Sequence, residues 1–112
     1  MSDSLYPEDK WSNNIKFQRH KKGNNNGIVV LDESYGEFCR IIVEVELDNK
    51  INTAAITVMI DFSMNETFIL NDGNFLDTYL GMKKDLEEFI DSDCYIDDPE
   101  FKEYFLNKWR KK

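Results

Sequence analysis

Residues 91 to 97 of this 112-residue chain carry the spacing closest to a metal site. Asp91, Asp93 and Asp97 place carboxylates at odd positions, which is how a calcium-binding loop begins. Such a loop needs glycine at its sixth position and glutamate at its twelfth, where this chain has Ile96 and Lys102. One histidine and two distant cysteines also give no pair with the spacing of zinc ligands. We therefore predict no metal site and no cofactor.

His20 is the only imidazole in the chain, and it lies in a basic turn that also contains Arg19, Lys21 and Lys22. A histidine among cations is a minimal arrangement for phosphoryl chemistry, because it combines a base with groups that stabilise developing negative charge. No second base or nucleophile accompanies His20, and the acidic remainder of the chain repels phosphate. We expect a protein that is not an enzyme, with a small phosphoryl-handling enzyme as an alternative.

The acidic residues are concentrated in one segment. Between Asp85 and Glu103 there are nine acidic residues and one basic residue, so this segment carries the same net charge, −8, as the whole chain. One interpretation is a solvated helix face with two helix caps. The other is a binding surface for a basic partner, with an aromatic residue as its anchor. The second interpretation predicts that the partner-binding residues are Asp85, Glu88, Asp91, Asp93, Tyr95, Asp97 and Asp98.

Composition limits the protein class. The chain has 22 acidic and 14 basic side chains, which makes nucleic acid and anionic lipid poor partners. Its apolar content of 41% is enough for one folded domain over residues 1–112, with residues 1–10 as a loosely ordered arm. The sequence shows no signal peptide and no membrane-spanning run, so we expect a cytoplasmic protein whose Cys39 and Cys94 remain thiols.

Two apolar runs between Phe38 and Phe62 predict a β-hairpin around which the fold is organised. In the first run the odd positions are apolar, from Cys39 to Leu47, while Arg40, Glu44 and Glu46 lie on the even face. In the second run the apolar positions are even: Ala54, Ile56, Val58, Ile60 and Phe62. Alternation with a period of two is typical of strands that bury one face.

Further strands are predicted at Ile15–Arg19, Ile28–Leu31 and Thr67–Leu70, with a reversal between Gly23 and Gly27. Apolar residues three and four apart predict a helix over Phe75–Asp91, whose Leu86 and Phe89 should pack on the hairpin. A second helix is predicted over Asp98–Lys111, because Asp98 can cap it and Pro99 suits its first turn. The expected fold is α+β: a mostly antiparallel, four- or five-stranded sheet with two C-terminal helices packed on one face.

Residues 32 to 90 resemble small bacterial immunity proteins, the cytosolic antidotes to polymorphic and contact-dependent growth inhibition toxins. The resemblance lies in the order of DESYGEFCRIIVEVELD, TAAITVMID, ETFIL and MKKDLEEFI. It implies a non-catalytic protein that binds and neutralises one cognate toxin domain, often a nuclease with a basic active site. The alternatives are a phage-type inhibitor that mimics nucleic acid, similar in role to an anti-CRISPR protein, and a small acidic subunit of another complex.

Overall fold

The computed structural model describes residues 11–14, 22–37, 39–60, 64–71, 73–91 and 99–110. Five strands form one antiparallel sheet in the order β1-β2-β3-β4-β5, and two helices follow them in the chain. The elements are β1 (Trp11–Asn13), β2 (Ile28–Tyr35), β3 (Cys39–Val45), β4 (Ala54–Ile60), β5 (Met64–Leu70), α1 (Phe75–Asp91) and α2 (Pro99–Arg110). The α+β fold with C-terminal helices, predicted from the sequence, is confirmed.

The predicted hairpin is β3 paired with β4. Its register places Ile41 opposite Val58 and Val43 opposite Ile56, and all four side chains are completely buried. Directly paired residues of antiparallel strands project from the same face of a sheet. The apolar positions of both strands therefore form one continuous surface, and α1 packs against it.

Both helices bury one side against this surface. The buried residues of α1 are Tyr79, Met82, Leu86 and Phe89, and those of α2 are Phe105 and Trp109. A side chain at Gly81 would bring its Cβ to 2.5 Å from the Trp109 ring, so the glycine lets the two helices approach closely. Leu76 and Leu80, which the sequence places beside the apolar stripe, are each about half exposed.

The turn between Gly23 and Gly27 forms as predicted. Gly23 N–H donates to the Gly27 carbonyl over 2.8 Å. Lys22 and Ile28, on either side of the turn, form an isolated antiparallel β-bridge. Asn26 has a φ of 61°, a left-handed conformation that asparagine tolerates better than most residues. This turn lies over the sheet face opposite the helices, which we call the second face.

Several predicted features lie outside the described residues. They are the arm at residues 1–10, the strand Ile15–Arg19, the histidine His20, the cysteine Cys94 and the helix end positions Asp98 and Lys111. Within the part of the chain that is described, no helix is long and apolar enough to cross a membrane.

Candidate protein-binding surface

The acidic residues of the helices differ in how far they are exposed to solvent, and several of them contact other parts of the molecule. The side chain of Asp85 is only 11% exposed. Its Oδ2 accepts a hydrogen bond from Trp109 Nε1 over 3.0 Å. The same oxygen forms an ion pair with Lys108 Nζ, also at 3.0 Å. These contacts join α1 to α2, so the Asp85 carboxylate already has two donors within the protein.

Glu87 and Asp91 connect α1 to the first two strands. Trp11 Nε1 donates to Glu87 over 2.6 Å, and the Tyr35 hydroxyl donates to Asp91 Oδ1 over 2.6 Å. The Trp11 and Tyr35 rings lie 5.1 Å apart, with Lys83 Nζ 5.2 Å from the Trp11 ring. This side of α1 is therefore fixed to β1 and β2, although Asp91 itself remains exposed.

Other carboxylates of the two helices are presented to solvent. The Phe89 and Phe101 rings stack with centroids 3.9 Å apart, which brings this part of α1 next to the start of α2. Glu88 and Glu100 directly precede these two rings, and both are exposed. The stack therefore brings the segments that carry Glu88 and Glu100 next to each other.

We use the name acidic surface for four exposed carboxylates of α1 and α2 together with one exposed aromatic residue: Glu88, Asp91, Glu100, Glu103 and Tyr104. Tyr104 is 52% exposed, and Lys108 Nζ lies 5.6 Å from the centre of its ring. The sequence pattern indicated Tyr95 as the aromatic anchor and not Tyr104, which falls in an apolar stripe of α2 with Phe101, Phe105 and Trp109. The helical spacing of Tyr104 from Phe101 and Phe105 does not reveal that it lies at the exposed margin of that stripe.

Four of the seven predicted partner-binding residues lie outside the described residues: Asp93, Tyr95, Asp97 and Asp98. The remaining three are Asp85, Glu88 and Asp91, which the structure places along one helix. Within the described ranges, no group of three or more histidine, cysteine, aspartate or glutamate side chains is arranged to hold a metal ion.

Cys39 lies on the apolar face of β3 and is 3% exposed. Burial raises the pKa of its thiol to about 12, because the apolar surroundings disfavour the charged thiolate. At neutral pH the side chain is a protonated thiol that packs as a small apolar group.

The second face of the sheet contains two buried carboxylates. Asp32 is completely buried and forms a two-point ion pair with Arg40, with distances of 2.9 Å from Nε and 2.7 Å from Nη2. Asn14 Nδ2 also donates to Asp32, over 3.3 Å. The hydrogen bond to Asp32 raises the pKa of the Arg40 guanidinium further, so Arg40 stays charged.

Glu44 is the other carboxylate on this face, and it is 3% exposed. The Asn25 and Gly27 backbone N–H groups donate to its Oε1 over 2.9 and 3.2 Å, and Asn25 Nδ2 donates to its Oε2 over 2.7 Å. The sequence pattern places Glu44 on the polar face of β3, which is correct. Its burial results from the turn at Gly23–Gly27, which covers that face at this point.

Comparison of the chain with known protein families, with curated protein sequences and with solved structures finds no match.

Proposed function

We propose that this protein is a non-catalytic immunity protein of the cytoplasm that binds and neutralises a cognate toxin domain with a basic surface. The observation that carries the proposal is the acidic surface, in which two helices packed on the sheet present four exposed carboxylates and the half-exposed Tyr104. The net charge of −8 and the layout of residues 32 to 90, which resembles immunity proteins, agree with it.

The chemistry of such a surface suits inhibition by binding. Clustered negative charge accelerates encounter with a basic protein and orients it before contact. A half-exposed aromatic ring then supplies apolar contact area, which charged residues alone lack. If the basic surface of the toxin is its substrate-binding cleft, the bound immunity protein blocks that cleft without any reaction of its own.

The test uses the protein encoded by the gene adjacent to that of this chain, since immunity proteins and their toxins are encoded together. We expect the two purified proteins to form a stable complex and the toxin to lose its activity in that complex. Absence of a toxin gene beside this one, or a toxin that stays fully active in the presence of excess protein, would contradict the proposal.

A pair of matched variants locates the binding surface. In the first, Glu88→Lys and Glu103→Lys reverse two charges of the acidic surface. In the control, Glu37→Lys and Glu46→Lys reverse two exposed charges located at the two ends of β3. Both variants change the net charge equally, so a difference between them reports the location of the charges. We expect only the first variant to lose its ability to inhibit the toxin. Equal loss in both would mean that bulk charge, and not the acidic surface, determines binding.

A further inference from the structure

The second face holds a pocket with a volume of about 370 Å³. Ile42, Thr57 and Met59 line it from the two central strands, and all three are half-buried. The other lining residues belong to the turn and to the neighbouring strand positions: Lys22, Gly23, Asn24, Val29, Arg40, Glu44 and Asn65. This size is within the range of pockets that hold small organic groups.

Three charged residues line this pocket, Lys22, Arg40 and Glu44, and Asp32 pairs with Arg40 beside it. Lys22 is exposed and the Arg40 side chain is 39% exposed, whereas Asp32 and Glu44 are almost completely removed from solvent. Both oxygens of Glu44 accept hydrogen bonds from Asn25 and Gly27. The solvent-exposed charges among these four groups are therefore the positive ones, in a molecule whose net charge is −8.

Arg40 is oriented before any ligand arrives. Its two-point ion pair with the buried Asp32 fixes the plane of the guanidinium group, and Arg40 is one of the residues that line the pocket. A guanidinium group has five N–H donors in a fixed planar arrangement, and this pair uses two of them. An arginine held in this way binds a carboxylate with less loss of side-chain entropy than a mobile one.

We propose that this pocket binds an acidic peptide segment of a protein partner. A glutamate or aspartate side chain of the segment pairs with Arg40 and Lys22, and an apolar side chain two positions away packs on Ile42 and Met59. Residues two apart in an extended peptide project from the same side, so one segment satisfies both requirements. The occupant has a charge opposite to that of the partner proposed for the acidic surface, so this pocket is a separate contact site.

The experiment titrates the full chain with the peptide acetyl-Ala-Leu-Ala-Glu-Ala-amide and, as a control, with the same peptide carrying Gln in place of Glu. Binding is followed by ¹H–¹⁵N NMR, including the Nε signal of Arg40 and the side-chain amide signals of Asn24 and Asn65. We expect the Glu peptide to shift these signals and to bind at least about fivefold more tightly than the Gln peptide. Neither peptide involves the toxin, so the result is independent of the proposed function.

Lys22→Glu reverses a charge at the pocket, and Lys84→Glu makes the same change on the exposed side of α1. We expect Lys22→Glu to weaken binding of the Glu peptide at least about fivefold and Lys84→Glu to leave it almost unchanged. Equal effects of the two variants, equal affinity for both peptides or an unchanged Arg40 signal would overturn the proposal. N-acetyl-leucine that binds as tightly as the Glu peptide would show that a small acid, and not a peptide, is the occupant.

Discussion

Asp32 and Glu44 show two ways of removing a carboxylate from water on the same face of a sheet. Asp32 pairs with a cation, Arg40, whereas Glu44 is bound by N–H groups of the turn. Burial of either charge is costly unless its hydrogen bonds are satisfied. A Cβ atom at Gly23 would lie only 2.1 Å from Glu44 Cδ, so a side chain at position 23 would displace the Glu44 carboxylate from its present position.

The first prediction concerns Glu44. In Glu44→Ala the N–H groups of Asn25 and Gly27 lose their acceptor, so we expect the free energy of unfolding to fall by about 1–3 kcal/mol. The control Glu37→Ala removes an exposed carboxylate at the other end of β3 and should change stability by less than about 0.5 kcal/mol. Urea denaturation measures both. Equal stability of the two variants would mean that Glu44 does not hold the turn.

The sequence could not reveal these buried acids. Alternation in β3 correctly separates its two faces, but it does not tell which distant segment covers the polar face. The ion pair of Asp32 with Arg40 joins residues on different strands, and the Glu44 contacts join residues 17 and 19 positions apart. Such contacts depend on strand register and on the path of the turn, which local patterns do not contain.

At the scale of elements, α1 is held on three sides. Its inner side buries Met82 and Leu86 against the sheet, Asp85 binds α2, and Glu87 binds Trp11 of β1. The sequence predicted the bounds of this helix as the structure has them, because its apolar residues recur regularly three and four positions apart. It also predicted the inner residues. It did not predict how wide the buried stripe is, since Leu76 and Leu80 look equally apolar.

The second prediction tests the inner side of α1. Leu86 is completely buried, so Leu86→Ala should lower the free energy of unfolding by about 2–5 kcal/mol through lost contacts and the cavity that remains. Leu80→Ala, in the same helix, removes the same atoms from a residue that is 52% exposed. It should therefore lower the free energy of unfolding much less than Leu86→Ala does. Denaturant midpoints compare the two variants. A midpoint for Leu86→Ala as high as that for Leu80→Ala would contradict the packing.

At the scale of the whole molecule, the described residues place different charges on the two sides of the sheet. The helical side presents the acidic surface, whereas the second face presents Lys22 and Arg40 above two buried acids. The sequence predicted an acidic binding region, and the structure shows that some of these acids have structural partners. Asp85 is the clearest case, because its position in α1 gives no sign that Trp109 and Lys108 will reach it.

The last prediction uses this distribution to separate local from bulk charge. Attraction between exposed charges is screened by salt, with a screening length of about 8 Å at physiological ionic strength. The association rate of the protein with the toxin encoded by the adjacent gene should therefore fall as salt is added.

The double variant Glu88→Lys with Glu103→Lys should slow association at low salt by about tenfold or more. It should also flatten the salt dependence of the rate, because electrostatic steering is reversed at the surface where the toxin binds. Glu37→Lys with Glu46→Lys should keep most of the rate and most of the slope. Stopped-flow measurements over a salt series compare the three proteins, and parallel slopes for both variants would show that the toxin binds away from the helices.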